Sequence, residues 1–187
     1  MGPMFNRETI KFRDLLPEDI DLFLDYWHHS PLGFLEGMGV DPKKIASPEE
    51  MRTHLQAQID DIAKNGSKVG RLLIIEYLCE PIGYHNLNEI IAGDSALFHA
   101  HIWNPKMRGQ GLGTYSYPRA SRIYMDRFNL KKVRFISPIQ NKGINRIKEK
   151  LGLKCLGETV MTAPFLITGT RGYMYELTEE HLKNLGF

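Results

Sequence analysis

The sequence predicts an α+β fold built around a mixed β-sheet, in one domain that spans residues 1–187. The order of the patterns is the first reason: one strand and two helices are followed by three successive strands, and helices then alternate with strands. Length is the second, since 187 residues are enough for one domain with a hydrophobic core. Composition is the third, because 42% hydrophobic and 25% charged residues are typical of a globular chain.

The N-terminal part is predicted to contain a short strand and two helices. The strand is expected at residues 8–13. The first helix begins at Leu16–Asp19, because Pro17 suits the first turn and acidic residues favour its positive end. Five glycines and prolines between residues 28 and 47 predict an irregular excursion. The second helix begins with Ser47 as its N-cap and ends near residues 65–66.

Three strand-like runs then follow one another closely and predict an antiparallel meander. They cover residues 72–78, 81–90 and 96–103. Helices and strands alternate over the rest of the chain. Helices are predicted at 113–128, at 141–151 with Gly152 as its C-cap, and from Thr178 onward; strands are predicted at 132–137, 154–163 and 172–177.

Charge and cysteine usage exclude several classes of protein. A net charge of +2, with no aromatic residues among the basic clusters, does not favour a nucleic-acid partner. Cys79 and Cys155 have no metal-ligand spacing, which favours a reduced environment. We find neither a signal-peptide pattern nor an apolar run of about 18 residues, so the sequence predicts a cytoplasmic protein without a membrane partner.

The segment Arg108–Gly113 reads Arg-Gly-Gln-Gly-Leu-Gly and lies between a predicted strand and a predicted helix. Backbone N–H groups of such a loop, together with the positive end of the helix dipole, favour a pyrophosphate. The P-loop pattern is missing. A dinucleotide-binding fingerprint would need a third glycine where Thr114 stands, and the antiparallel strands before the loop also disfavour that fold.

This loop resembles the pattern Q/R-x-x-G-x-G/A of the GNAT acetyltransferase superfamily. A second segment, residues 141–153, is similar to the superfamily pattern N-x-x-[AS]-x-x-hydrophobic-x-E-K-L-G-F. The matching residues are Asn141, Ile147, Glu149, Lys150, Leu151 and Gly152, with Leu153 in place of the usual phenylalanine. Residues 16–19 and 171–177 resemble the branch that contains ribosomal-protein N-terminal acetyltransferases.

The resemblance implies transfer of an acetyl group from acetyl-CoA to a primary amine, either a protein N-terminus or a small molecule. It implies a largely antiparallel sheet of about seven strands, flanked by helices and split between strands four and five, here 96–103 and 132–137. Pantetheine would pair with the first of these strands near Ile102 and Trp103. The implied pyrophosphate-binding residues are Arg108, Gly109, Gln110, Gly111, Leu112, Gly113 and Thr114. Asn141 would contact the cofactor, cap the following helix, or do both.

The attacking amine must lose a proton, and His99 or His101 is the expected base. The two side chains share one strand face, and Glu76 and Glu89 are lesser candidates. The tyrosine that many members use as an acid is replaced here by Lys148. Tyr115, Tyr117 and Tyr173 are possible substitutes, or the thiolate leaves without an acid.

Residues 28–47 and 161–172 are expected to receive the amine.

Other points concern metal binding, the class of function and the assembly. A metal site built from His85, His99 and His101 is disfavoured by its surroundings, so no metal is predicted. The missing tyrosine also allows a module that binds an acyl-CoA as a sensor or scaffold and catalyses poorly. Many relatives form homodimers, and the sequence does not specify an assembly.

Overall fold

The computed structural model describes Asn6 and residues 9–187, and its centre is one seven-stranded sheet in the order β1-β2-β3-β4-β5-β7-β6. The strands are β1 Ile10–Asp14, β2 Leu72–Tyr77, β3 Glu80–Ile91, β4 Ser95–Ile102, β5 Lys132–Pro138, β6 Gly157–Val160 and β7 Arg171–Thr178. Strands β4 and β5 are parallel, and every other neighbouring pair is antiparallel. The predicted mixed, largely antiparallel sheet is therefore confirmed. Glu8, the first residue of the predicted first strand, lies outside the described residues.

Helices cover both faces of this sheet. They are α1 Ile20–His28, α2 Phe34–Gly37, α3 Pro48–Asn65, α4 Leu112–Phe128, α5 Lys142–Lys150 and α6 Glu179–Asn184. Helices α1 and α3 pack on the face that carries Ile74 and Tyr84. Helices α4 and α6 pack on the opposite face, against Leu73, Leu87 and Phe98. Within the described part of the chain, no helix is long and apolar enough to cross a membrane.

Helix α3 begins as its sequence predicts. The Ser47 hydroxyl accepts a bond from the N–H of Glu50, and the Glu50 carboxylate accepts one from the N–H of Ser47. This reciprocal capping satisfies two backbone donors at the helix start. Pro48 occupies the first turn, where a missing N–H costs nothing.

Asp19 differs from the sequence-based expectation of a simple helix-start charge. Its side chain is fully buried and accepts two bonds from Arg13, at 2.6 and 2.8 Å, and one from the N–H of Leu16. Arg13 also donates to Glu76 at 2.7 Å. This network joins β1 to β2 and to the start of α1.

Two predictions, for residues 154–163 and for residues 28–47, were only partly right. Strand β6 covers four residues instead of the predicted 154–163, because it is an edge strand and pairs only with β7. Residues 28–47 are irregular as predicted, but they include the short helix α2. An isolated bridge between Val40 and Leu166 connects this excursion to the segment after β6.

Candidate active site

The two parallel strands separate after a short contact. They pair at three positions only, Ser95 with Lys132, Ala96 with Val133 and Leu97 with Arg134. Beyond this point β4 remains paired with β3 as far as Ile102, while β5 remains paired with β7 as far as Pro138. The β5-facing edge of residues 98–102 is therefore open. We call this gap the split, and it lies where the sequence predicts it.

Aromatic rings close the narrow end of the split. Phe98 and Phe135 directly follow the last paired residues of β4 and β5, and their ring centroids are 5.1 Å apart. Tyr117 of α4 packs on both rings, at 5.3 and 5.6 Å. The apex of the split is consequently an apolar floor covered by α4.

The glycine-rich loop leads from the open end of β4 into α4. Gly109 and Gly111 have φ values of +75° and +86°, in the left-handed region that glycine adopts readily. A Cβ atom at Gly109 would meet nothing within 4 Å, and one at Gly111 only the Thr114 hydroxyl at 3.8 Å. The loop surface is thus open to a ligand. Because α4 begins at Leu112, its first N–H groups lack carbonyl partners within the helix, which suits a phosphate group.

Gly113 has a different reason for being glycine. A Cβ atom there would overlap Cδ1 of Ile147 on α5. The absent side chain allows close packing of α4 on α5, whereas the sequence analysis attributed it to ligand approach. The Gly113 N–H remains in the first turn of α4, among the donors that face outward.

Arg108 folds back onto the end of β4. Its Nε donates to the Ile102 carbonyl at 2.8 Å and its Nη2 to the Trp103 carbonyl at 3.3 Å. Its guanidinium also lies 4.2 Å from the ring centroid of Phe34 in α2. The Trp103 N–H donates to the Ile82 carbonyl. A ligand that pairs with the carbonyls of Ile102 or Trp103 must therefore compete with Arg108.

The two candidate histidines have different environments. His101 stacks on Tyr84, with centroids 4.8 Å apart, and its Nδ1 lies 3.1 Å from the Tyr26 hydroxyl. His99 has a buried Nε2 for which the described part of the chain offers no hydrogen-bond partner. His101 is therefore held by its neighbours, whereas His99 retains a nitrogen available to a ligand.

Burial keeps both imidazoles neutral at physiological pH. It lowers the pKa of His99 to about 4, an effect opposed by the Glu89 charge and reinforced by Lys148. Burial, together with the neighbouring His99, lowers the pKa of His101 to about 3. A neutral imidazole nitrogen can accept a hydrogen bond from an approaching amine, and the lowered pKa makes it a weaker base than an ordinary histidine.

The lesser candidates for the base are engaged elsewhere. Glu76 accepts the bond from Arg13 described above, and Glu89 pairs with Arg134 at 3.2 Å. Among the three candidate tyrosines, Tyr117 lies at the apex of the split. Tyr173 of β7 pairs with Ser137 of β5 and with Glu158 of β6. The guanidinium of Arg119 lies over the ring of Tyr115.

The disfavoured metal site does not form. His85 pairs with Ala100 in the sheet register, which places its side chain on the opposite face from His99 and His101. There it packs on Phe98 and Tyr117. No group of three or more metal-ligating side chains lies within the part of the chain that the structure describes.

Helix α5 supplies two buried polar residues that the sequence analysis did not place in the site. Asn145 donates to the Pro138 carbonyl at 3.0 Å, and its Oδ1 is buried without a partner among the described residues. The Nζ of Lys148 lies 3.4 Å from the Tyr117 hydroxyl, and only 2% of the residue is exposed. Both stand one helical turn apart on the face that also carries Ile144, Ile147 and Leu151. Polar residues on an apolar helix face are the signal that identifies them.

Asn141 caps α5, as one of its two predicted roles required. Its Oδ1 accepts a bond from the Ile144 N–H at 3.2 Å. The second predicted role, contact with a cofactor, stays a prediction.

The two segments expected to receive an amine come together next to His101. The N–H of Asp41 donates to the Phe165 carbonyl at 2.9 Å. Trp27 packs on His101 at 5.2 Å and on Phe165 at 6.2 Å. A small cleft here is lined by Trp27, His28, Ser30, Pro31, Leu32, Leu35, Glu36 and Pro42. The aromatic cluster thus connects this cleft to the β4 face that carries His99.

Comparison with solved structures establishes the fold. A spermidine N-acetyltransferase from Vibrio cholerae, in complex with coenzyme A and spermine, is 19% identical with a TM-score of 0.73, over 95% of this chain and 99% of that one. RimL, a ribosomal-protein N-acetyltransferase in complex with coenzyme A, is 17% identical with a TM-score of 0.71, over 94% and 96%. A GNAT-family acetyltransferase from Bacillus anthracis is 15% identical with a TM-score of 0.69, over 94% and 98%.

The chain therefore has the fold of the GNAT acetyltransferases, as the two sequence motifs predicted. The sequence matched no protein-family model and no curated protein. At these identities the structural likeness shows the fold alone, and the chemistry depends on the residues of the site.

Proposed function

We propose that this chain, acting as one domain over residues 1–187, is an acetyl-CoA-dependent N-acetyltransferase that acetylates a primary amine. The observation that carries the proposal is the junction of the split with the glycine-rich loop. An open strand edge, a glycine turn without side-chain obstruction and the start of a 17-residue helix follow one another along a single stretch of chain. This arrangement suits an elongated ligand that ends in a pyrophosphate. Several structures with this fold hold coenzyme A or acetyl-CoA.

The chain's own residues assign a part to each end of such a ligand. The N–H groups of residues 109–114 would receive the pyrophosphate, and the open edge of β4 would pair with the pantetheine arm. Asn141, which caps the adjacent helix, stands on the other side of the split. Acetyl-CoA supplies an acetyl group activated as a thioester.

The amine would reach the thioester from the cleft beside Trp27. Most amines are protonated at neutral pH, so a proton must leave before the nitrogen can attack. The neutral His99, with its unpartnered Nε2, would accept this proton directly or through water. Glu36 at the cleft would favour a cationic acceptor. Spermidine and a ribosomal protein N-terminus are acceptors named for two structures of this fold, and both are primary amines.

Calorimetry followed by a thiol-release assay tests this function. Acetyl-CoA is titrated into the protein, and a panel of amines that includes spermidine and peptides with free N-termini is then added. We expect binding and an amine-dependent release of free coenzyme A. Binding without release from any amine would indicate a coenzyme A-binding module, and absence of binding would overturn the proposal.

A matched pair of variants tests the glycine-rich loop. Gly111→Ala places a Cβ atom on the proposed pyrophosphate surface, at φ +86°. Gly93→Ala imposes the same backbone strain at φ +73°, in a turn with open space around it. We expect weaker acetyl-CoA binding for Gly111→Ala alone. Equal affinities of the two variants would remove the loop from the binding site.

A further inference from the structure

Lys148 is a buried cation without an anion. Its side chain lies in the interior between α4, α5 and the sheet, and only 2% of the residue is exposed. Its Nζ contacts the Tyr117 hydroxyl at 3.4 Å and lies 4.4 and 4.9 Å from the ring centroids of Tyr117 and Phe135. None of the ion pairs among the described residues includes Lys148. Burying an unpaired ammonium group costs free energy of folding. An apolar side chain would fill the same space without that cost.

The position of this amine is the apex of the split. Phe135, which lies under the Nζ, is the first residue of β5 beyond the paired region, and its ring contacts that of Phe98 in β4. His99 follows Phe98 along the same strand. The charge of Lys148 lowers the pKa of His99, so the two groups interact electrostatically even though they approach the split from different elements. A reacting group in the split would therefore lie between a neutral imidazole on one face of the sheet and the Lys148 amine on the other.

We propose that Lys148 donates the proton that converts the leaving thiolate of coenzyme A into a thiol. The inference rests on the proposed acetyltransferase function and adds to it a proton donor. In the step concerned, the amine nitrogen bonds to the carbonyl carbon and the carbon–sulfur bond breaks. The sulfur keeps the electron pair of that bond and takes a proton from the Lys148 ammonium. The proton lost by the acceptor goes to His99 or water, and Lys148 recovers its own proton from solvent before the next turnover.

The acidity of Lys148 suits this task. Burial lowers its pKa to about 7, below the value of about 8.5 for a free thiol, so transfer to a thiolate is favourable. Recovery of the proton at neutral pH is also possible at that pKa. Burial raises the pKa of the Tyr117 phenol, which therefore stays protonated and serves to orient the amine. On its own face of the sheet, Lys148 is near Tyr117 from α4 and His85 from β3, and β5 contributes the ring of Phe135. His99 of β4 acts on it from the other face.

Three variants distinguish whether Lys148 acts as a proton donor, as a fixed positive charge or only as a packing residue. Lys148→Met keeps the length and removes the charge, whereas Lys148→Arg keeps the charge but cannot release a proton. Lys64→Met changes an exposed lysine at the end of α3 and serves as the control. Thermal unfolding establishes that each variant is folded. Binding of desulfo-coenzyme A, which lacks the sulfur, reports on the rest of the binding site.

The first measurement is the titration of bound coenzyme A, followed by the ultraviolet absorbance of its thiolate. We expect the pKa of the bound thiol to lie below that of the free thiol in Lys148→Arg, whose charge is permanent. It should not be lowered in the wild type, where Lys148 loses its proton before the thiol does, or in Lys148→Met. The second measurement is steady-state turnover. We expect kcat to fall at least about tenfold in both Lys148 variants and to stay unchanged in Lys64→Met.

Each other result overturns the proposal. An unchanged kcat in Lys148→Met would leave Lys148 as a packing residue, and an unshifted thiol pKa in Lys148→Arg would mean that position 148 does not face the sulfur. Full turnover in Lys148→Arg would mean that charge, and not proton donation, is required. If the wild type bound neither coenzyme A nor desulfo-coenzyme A, the proposed function itself would fail and this inference with it. If both ligands bound and only the Lys148 effects were missing, the proposed function would stand.

Discussion

His99 and His101 occupy the same strand face, two residues apart, yet their neighbours give them different roles. We predict that His99→Phe lowers kcat by roughly 10²-fold, because it removes the unpartnered nitrogen that would accept the proton. The affinity for acetyl-CoA should not change. His101→Phe keeps the stacking on Tyr84 and loses only the contact with Tyr26, so it should cost about 1 kcal/mol of stability and leave kcat close to the wild-type value.

Steady-state kinetics with one amine, together with calorimetry for acetyl-CoA, distinguishes the two histidines. Equal losses of kcat in the two variants would contradict the assignment. A loss confined to His101→Phe would move the base to the other histidine.

Asp19 and Asp21 offer a second contrast between neighbouring residues. Asp19 is fully buried and pairs with Arg13 at 2.6 Å, whereas Asp21 is exposed and pairs with Arg52 at the same distance. Asp19→Asn removes the fully buried charge of the pair and leaves Arg13 with Glu76 alone, so we predict a loss of about 3 kcal/mol in the free energy of unfolding. Asp21→Asn should change it by less than about 1 kcal/mol, because water screens exposed pairs. Urea denaturation measures both, and similar losses would show that burial does not control the strength of the pair.

At the scale of elements, the contact between α4 and α5 depends on Gly113. An added Cβ would overlap Cδ1 of Ile147, so Gly113→Ala should push the helices apart and cost about 1–3 kcal/mol. Ile147→Val removes that methyl group and should itself cost about 1 kcal/mol. The double variant should be more stable than the sum of the two single changes predicts.

Urea denaturation of the two single variants and the double variant completes this cycle. Additive losses would mean that the helices do not meet at this pair. Because Gly113 also lies in the first turn of α4, acetyl-CoA affinity measured on the same variants shows whether helix packing and ligand binding are coupled.

The elements themselves were largely predictable, because each had a local signal. Ser47 with Glu50 marked the start of α3, and the periodicity of apolar residues marked the strands of the meander. Strand β6 was predicted too long, since edge pairing depends on the partner strand and not on local propensity. The burial of Lys148 was not predicted, because it depends on how α5 packs against Tyr117 and Phe135.

At the scale of the whole molecule, the sequence predicted the split only through the family resemblance. Composition and spacing indicate a meander followed by alternating elements, and they contain no signal for where β4 and β5 separate. The separation follows from long-range pairing, since β5 continues along β7 while β4 continues along β3. The direction of Arg108 was unpredictable for the same reason: the turn at Pro105–Met107 brings the chain back towards the end of β4, so the guanidinium returns to the Ile102 carbonyl.

The molecule as a whole buries three imidazoles, and this makes its stability sensitive to acid. Burial lowers the pKa of His85 and His101 to about 3 and that of His99 to about 4, against an ordinary value of 6.5. In the unfolded chain these histidines take up protons as the pH falls through 6.5, whereas in the folded protein they resist until about pH 4. The unfolded state therefore binds more protons in this window, and the free energy of unfolding decreases as the pH falls.

We predict that replacing one of these imidazoles flattens the acid limb of the stability curve. His85 packs between Phe98 and Tyr117, on the sheet face opposite the proposed base, so His85→Phe removes a titrating group and keeps an aromatic ring in its place. With a folded-state pKa of about 3, His85 should contribute roughly 3 kcal/mol to the decrease between pH 6.5 and 4, at about 1.4 kcal/mol for each pH unit. His54→Phe, at an exposed position of α3, is the matched control and should leave the curve unchanged. Urea denaturation between pH 4 and 8 measures the difference, and a His85→Phe curve parallel to that of the wild type would show that His85 does not contribute to the acid sensitivity.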